Sequence, residues 1–459
     1  MYVEKLYNST IREVLNKQPI LCDTLIDLIL QSFHMPLWNN KIKPIKMVEA
    51  DRQFQATVCG WLYLMKKKMM PVDTENINSN TMANILDSEE KFVEFVIFEF
   101  MTRMIITDIN PIVISRFKNG DSESIGELKK AIVRNITKFH EGHEGKFWKE
   151  YRVWVEEKFL TETEEIESLC YDAGNAYASE YEYGIISKLG IYDYEKNDIE
   201  KRFKAKKDRF FSCMKESDKA LEIGNAIRFI MDFSGTFRSQ QRWALVPRTP
   251  ETTVQGHMFM VGVIAYLVSL DLGLGKSRAT QNFLSAMMHD FGEGFVKDII
   301  SPIKSISNIE QIAKSLENEN IYKYVIKPLK NDGETFIARR LMFLLSLATT
   351  SNDYTTLSLD NELHHVSEFQ STTVCLNCNT FKIQEKAVVD KQSIKCEECR
   401  TDLFCRDGEI VNYADKLSAY IEVKASILNG VGKRSLDEPV QKLRMSTNKM
   451  LKNIIQTIN

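Results

Sequence analysis

Three side chains able to bind a cation or move a proton fall close together in the stretch AMMHDFGEGFVKDIISPIK, Ala286 to Lys304: His289, Asp290 and Glu293. The stretch opens with apolar residues at helical spacing, so these groups are expected to face a core. A carboxylate there is costly unless it is paired or bound to a metal. Glu293 is i+4 from His289 and i+3 from Asp290, one turn further along the same face of a helix. Distant segments offer two more groups. His257 shares a helical stripe with Val261, Ile264 and Val268 in GHMFMVGVIAYLVSL. Asp415, in EIVNYADKLSAYIEV, adjoins the stripe Ile410, Ala414, Leu417 and Ile421, and its neighbours Ser418 and Ala419 are small enough to let other groups approach. Two imidazoles and two carboxylates satisfy one divalent cation in number and charge, and the mixed nitrogen and oxygen set suits Mn, Fe, Co, Zn or Mg. Such an ion polarises an oxygen bound to it and brings the pKa of a bound water toward neutrality. Two carboxylates also keep the centre near neutral.

A second constellation is made of sulfur. Cys375, Cys378, Cys396 and Cys399 form C-x2-C-x17-C-x2-C, the spacing of a four-thiolate zinc ribbon. Four thiolates leave no open coordination position, so this zinc is expected to be structural.

The elements that must position these groups read as mostly helical. Ten prolines and 20 glycines in 459 residues leave long windows with helical spacing, among them TLIDLILQSF, FVEFVIFEFMTRMII, MVGVIAYLVSLDLG, RRLMFLLSLATT and VNYADKLSAYIEVKASILNG. Between Ser371 and Arg406 the texture changes to Thr, Val, Ile, Phe and turn residues, which predicts a small β-rich insert. A charged segment, YEKNDIEKRFKAKKDR, places a domain boundary near residue 210. Sixty basic against 63 acidic residues give a formal charge of −3 and no polycationic footprint, so no nucleic-acid partner is expected. The N-terminus lacks a signal-like apolar core and no uncharged run has membrane-spanning length, so the expected location is cytoplasmic, with no membrane partner. Nine cysteines, four of them in CxxC pairs, fit metal ligation in a reducing compartment.

The order H, HD and D, with HD-x-x-E and the closing ADKLSAY, resembles the HD superfamily of metal-dependent phosphohydrolases, and within it the bacterial 5'-deoxynucleotidases. The likeness covers about residues 220 to 304 and 408 to 432. RWALVPRTPETTVQGH is similar to that family's Arg-Trp ahead of the first ligand, and HDFGEGFVKDIISPIK to its HD-x-x-E-x4-D-x3-P-x-K pattern. The resemblance implies an all-α HD helical bundle and metal ligation by His257, His289, Asp290 and Asp415. It implies that Glu293 handles the proton and the water, and that Arg242 binds the phosphate. It further implies that Trp243 bears on the sugar and excludes a ribose 2'-hydroxyl, and that Asp298 binds the sugar 3'-hydroxyl. An Arg fork is a natural partner for phosphate oxygens.

The first half can be laid on the second. RMIITDINPIVISRFK aligns with HDFGEGFVKDIISPIK, placing Arg103 and Met104 at the His-Asp pair and Thr107 at the glutamate. VEADRQFQATVCGWLYLM aligns with VQGHMFMVGVIAYLV, placing Asp51 at the first histidine, and CYDAGNAYASEYEYGI places Gly174 at the last aspartate. The expected organisation is a tandem pair: residues 1–210 a degenerate HD-like copy, 216–459 the active domain, and 371–406 a zinc ribbon within it. Two histidine pairs are weaker candidates for metal. His364 and His365 are adjacent and would point about 100° apart on a helix, and His140 and His143 sit in a polar, Gly-broken stretch.

The expected reaction is hydrolysis of a deoxynucleoside 5'-monophosphate to deoxynucleoside and phosphate, with one catalytic divalent ion (Mn, Co, Fe, Mg or Zn) and one structural Zn. The alternatives are a deoxynucleoside triphosphate triphosphohydrolase, with Arg339 and Arg340 reaching the phosphate tail and nucleotide depletion during phage infection as one context; an HD phosphodiesterase; and a nucleotide-sensing assembly module with a homo-oligomeric or regulatory partner.

Overall fold

The computed structural model describes residues 7–15, 17–69, 79–106, 122–138, 145–159, 164–191, 193–212, 223–243, 247–296, 309–351, 354–356, 363–365, 371–378, 380–384, 395–431 and 436–458. The first half contains helices α1 (Ser9–Leu15), α2 (Asp23–Ser32), α3 (Glu49–Met69), α4 (Ser79–Ile106), α5 (Ser122–Lys138), α6 (Lys146–Glu157), α7 (Ile166–Ser187) and α8 (Lys196–Ser212). The second contains α9 (Asn225–Thr236), α10 (Val254–Asp271), α11 (Lys276–Met288), α12 (Glu293–Val296), α13 (Ile309–Ile321), α14 (Lys327–Asn331) and α15 (Thr335–Leu344). After six short strands come α16 (Gly408–Leu428) and α17 (Asp437–Ile458). The fold is all-α, a helical bundle with a β-rich insert.

Helix α10 is the central element, and all but one of its 18 residues are buried. It is long and apolar enough to cross a membrane, but 94% of that window is buried inside the protein. Its apolar character therefore serves a core, which explains why the stripe carrying His257 has no polar counterpart on the opposite face. Thr253 starts the helix: its hydroxyl accepts a hydrogen bond from the Gly256 amide at 3.0 Å, satisfying one of the free donors of the first turn. Helices α11, α16 and α3 pack around α10.

One hydrophobic core runs through both halves, from Tyr7 and Phe54 to Ile264 and Ile455. Buried polar links join them as well. Arg340 of α15 pairs with Glu89 of α4 at 2.9 Å with both side chains fully buried, and Arg238 reaches Glu182 of α7 at 2.8 Å. Helices α3 and α7 approach backbone to backbone at Gly174, where an added Cβ would lie 2.4 Å from the Ala56 carbonyl oxygen.

The insert is wider than the segment 371–406. Its antiparallel sheet starts at β1 (Leu347–Ser351), and continues through β2 (Tyr354–Thr356), β3 (Leu363–His365), β4 (Ser371–Cys375), β5 (Thr380–Gln384) and β6 (Phe404–Arg406), in the order β3-β1-β2-β5-β4-β6. The apolar run RRLMFLLSLATT is thus helical only to Leu344 and turns into β1 after Ser346, which has a positive φ of 59°. Its β-branched Thr349 and Thr350 pair across to β2, where such residues fit a pleated surface. His364 and His365 lie on strand β3, not on a helix. His140, His143, Thr107 and Asp298 lie outside the described residues.

Candidate metal centre

A network of polar groups ties together the three helices that carry the candidate ligands. Asp407, just ahead of α16, accepts from Arg278 Nε and Nη2 and from the Asn282 side-chain amide (2.9 Å) of α11, and its own amide donates to Asn282 Oδ1 at 2.8 Å. Asn282 also donates to Ser269 of α10 at 2.9 Å. This fixes the approach of α16 to α10 and α11 in a buried setting, where unmet hydrogen bonds would be costly.

Further along the same three helices, toward the start of α10 and the end of α11, four candidate ligand atoms converge. His257 Nε2 lies 3.2 Å from Asp415 Oδ1 and 4.0 Å from Asp290 Oδ2; His289 Nε2 lies 3.1 Å from Asp290 Oδ2 and 4.0 Å from Asp415 Oδ1. Donor atoms of His257, His289 and Asp290 all fall within 4.8 Å of one another. Both Nε2 atoms are buried and make no hydrogen bond of acceptable geometry. Two buried, unsatisfied imidazole nitrogens facing two carboxylates fit a divalent cation. The second nitrogens are engaged: His289 Nδ1 is 2.7 Å from the Ala286 carbonyl, which makes it the donor and leaves Nε2 as the free lone pair.

The turn at this site differs from a continuous helix. Helix α11 ends at Met288 with His289 as its C-cap, and Glu293 begins the short α12, its amide donating to the Asp290 carbonyl at 3.0 Å. Glu293 is buried beside the cluster through a tight turn and not by i+4 helical stacking. Phe291, within that turn, packs edge-on against Phe233 and Phe237.

The electrostatics fit a site for a divalent cation. Burial pushes the Asp290 carboxyl up, but His289, His257 and Arg242 hold it well below the usual carboxylate range. Asp415 is likewise held low against burial, by His257 and Lys416. Burial pushes the His289 imidazole down, and Asp290 and Asp415 outweigh it, raising it to about 9.

Arg242 and Trp243 stand next to the cluster. Arg242 Nη1 is 3.6 Å from Asp290 Oδ2, and the Arg242 amide donates to the Thr252 carbonyl at 3.0 Å. Both residues meet a group that sequence reasoning missed. Glu422, fully buried on α16, accepts from Trp243 Nε1 at 3.0 Å and from Arg248 Nη1 at 2.8 Å, and its Oε1 is 3.2 Å from His257 Nδ1. The signal that could have found it is its i+7 position from Asp415, which puts both carboxylates on one stripe of α16.

The sulfur cluster is equally well formed. The four cysteine sulfurs lie within 4.8 Å of one another, with 3.5 Å between Cys375 and Cys399 and 3.9 Å between Cys396 and Cys378. A tetrahedron with Zn–S bonds of about 2.3 Å has edges of about 3.8 Å. Arg400 takes a positive φ of 60° directly after Cys399, closing the second knuckle, and the Cys396 amide donates to the Thr401 carbonyl at 2.8 Å.

The contacts around Glu422 recur in the first half. Trp38 and Trp243 both have positive φ, 57° and 56°. Trp38 Nε1 donates to Glu182 at 2.7 Å, as Trp243 does to Glu422. Arg52 lies over the Trp38 ring at 5.6 Å and Arg248 over Trp243 at 5.3 Å. Isolated bridges pair Pro36 with Val48 and Gln241 with Thr253, at identical spacing from the two tryptophans. In that register Arg52, and not Asp51, falls opposite His257, and Arg52 pairs with Glu182 as His257 meets Glu422. Asn175 and Glu182 share the i, i+7 spacing of Asp415 and Glu422, so Asn175, and not Gly174, falls opposite Asp415. Trp38 is covered by Tyr183 and Phe203 at 5.6 and 6.4 Å between ring centroids. Among the described residues no aromatic ring packs on Trp243.

Residues 234–370 match the family model of the HD domain. The matched segment contains Arg242, Trp243, His257, His289, Asp290 and Glu293, and stops short of Asp415 and Glu422. No curated protein and no solved structure matches the chain.

Proposed function

From the HD domain at residues 234–370, which supports a metal-dependent phosphohydrolase in general, we propose that this protein hydrolyses deoxynucleoside 5'-monophosphates to deoxynucleoside and phosphate. The observation that carries the reading is the juxtaposition of Arg242 and Trp243 with the His257, His289, Asp290 and Asp415 cluster. His257, His289, Asp290 and Asp415 would hold the ion, which when bound polarises a phosphoryl oxygen and activates water. Arg242, still directed at Asp290, presents its guanidinium to the phosphate oxygens that arrive there. Trp243, with its indole N–H held by Glu422 and, among the described residues, no aromatic ring packed on it, would bear on the sugar. Glu293 is the group that takes the proton from the attacking water and passes it on.

The triphosphohydrolase alternative needs further cations for the phosphate tail. Arg340 is not available to serve: it is fully buried, paired with Glu89 and Gln281, and its guanidinium lies 4.2 Å from the Phe404 ring centroid. That favours the monophosphate. The test is to incubate the protein with Mn or Co and dAMP, AMP, dGTP or a cyclic dinucleotide, and to follow the products. Phosphate from dAMP but not from AMP is expected; triphosphate release from dGTP would overturn the reading.

The recurring tryptophan–glutamate contacts and the matching bridges support a second element of the reading, that residues 1–210 are a metal-free copy of the domain at 216–459. The two halves would then pack as partners within one chain, around α3 and α10. Arg52 and Arg103 would stand where the second half has His257 and His289, and two guanidinium groups cannot ligate a cation. The Tyr183 and Phe203 rings pack on Trp38, whereas among the described residues no aromatic ring packs on Trp243, which favours a scaffolding role for the first copy. One metal ion per chain beyond the ribbon zinc is expected; two would overturn the silent-copy reading.

A further inference from the structure

His257 has two ring nitrogens, and only one can face an ion. Its Nδ1 lies 3.2 Å from Glu422 Oε1 and 3.2 Å from Ser418 Oγ. Ser418 already donates its proton to the Asp415 carbonyl at 2.8 Å, and an ionised carboxylate can only accept. Nδ1 must therefore carry the hydrogen, which leaves the lone pair on Nε2, the atom that faces Asp290 and Asp415. The other oxygen of the same carboxylate holds the Trp243 indole and Arg248. Arg248 in turn lies over the Trp243 ring and donates to Thr252, whose carbonyl accepts the Arg242 amide. A single carboxylate thus touches a candidate metal ligand through one oxygen and the substrate-facing loop through the other.

The first half provides a comparison. Glu182 holds Trp38 in the same way, but there Arg52 occupies the position of the histidine and pairs directly with the carboxylate. The hub and its tryptophan persist where the histidine does not, so they do not depend on a metal ligand for their formation.

We propose that Glu422 is a positioning residue that sets both the metal-binding tautomer of His257 and the placement of Trp243. This rests on the phosphohydrolase reading, and deepens it. An amide at 422 would weaken the orienting hydrogen bond to Nδ1 while filling the same space.

The test measures Mn binding calorimetrically on the full chain carrying its ribbon zinc, with zinc content as the internal check. Glu422→Gln is expected to weaken Mn binding roughly 10–100-fold, the usual range for loss of such a partner, with ribbon zinc unchanged. Trp243→Phe is expected to leave Mn affinity unchanged and to raise KM for dAMP. Should Glu422→Gln fail to fold because Arg248 is left unpaired, the double substitution Glu422→Gln, Arg248→Met removes that charge and reads the same affinity. Wild-type Mn affinity in a folded Glu422→Gln protein would overturn the inference alone. Wild-type protein that takes up no ion beyond the ribbon zinc would overturn the functional reading and this inference together.

Discussion

His257 and His289 face one another with ring centroids 5.6 Å apart, although they are 32 residues apart in the chain and neither Nε2 has a hydrogen-bond partner. Helix α10 brings one and the end of α11 the other, and the two carboxylates of Asp290 and Asp415 close the set. A pair of buried nitrogens left in this way is unfavourable unless an ion completes it.

Metal content should therefore follow single ligands. Asp290→Ala is expected to abolish hydrolysis and to remove one ion per chain, leaving the ribbon zinc in place. Elemental analysis beside the phosphate assay checks this. Loss of both metals together would mean that the two sites are not independent.

The converse holds for the ribbon. Cys375→Ser opens the four-sulfur cluster, and strand β6 behind it leads through Asp407 directly into α16, which carries Asp415. The variant is expected to lose its zinc and to unfold at lower temperature, with hydrolysis impaired through a loosened α16. Full retention of zinc with three cysteines would count against a closed four-thiolate site.

Asp51 should show in the pH dependence of stability. Burial raises its carboxyl from 3.8 to about 6, against the pull of Arg238 and a hydrogen bond from the Thr253 hydroxyl. The folded protein then holds this proton more tightly than the unfolded chain, so its contribution falls as pH rises from 3.8 to about 6, and the full cost is present above that. Asp51→Asn is expected to be more stable than the parent at neutral pH, by at most about 2–3 kcal/mol, with a smaller gain near pH 5. Urea titrations at the two pH values decide it; an equal change at both would rule out the carboxyl as the cause.

The Glu89–Arg340 pair should be structural. Arg340→Met leaves Glu89 as a buried charge whose remaining neighbours, Trp61 and Gln281, are neutral, and is expected to cost about 3–5 kcal/mol in denaturant unfolding. Under conditions where the variant stays folded, its product spectrum should match the parent. A selective loss of dGTP turnover would instead revive a role for Arg340 at a phosphate tail.

Much of the site was legible because its parts are local patterns. The HD dyad and the following glutamate lie within five residues, each CxxC pair within four, and His257 and Asp415 each stand on an apolar helical stripe. Glu422 was not legible because nothing in its own neighbourhood marks it; its four side-chain partners, Arg242, Trp243, Arg248 and His257, come from two distant stretches, at 242–248 and 257. Nor was the sheet from 347 to 365, where an apolar run reads as helix until Ser346 reverses the backbone. The register of the first half slipped by one residue for a similar reason. Sequence similarity put Asp51 and Gly174 opposite the ligands, while the tryptophan and glutamate contacts put Arg52 and Asn175 there.

By itself, the sequence determined the helical class, the four-cysteine insert and the residue types able to hold an ion, since periodicity and spacing act over one or two turns. Only the tertiary structure decided that those residues meet, that Arg340 is committed to Glu89, and that one buried carboxylate serves both His257 and Trp243. The physical reason is that burial and hydrogen-bond satisfaction are properties of groups brought together by packing, and no local pattern records which distant partner will satisfy a given atom.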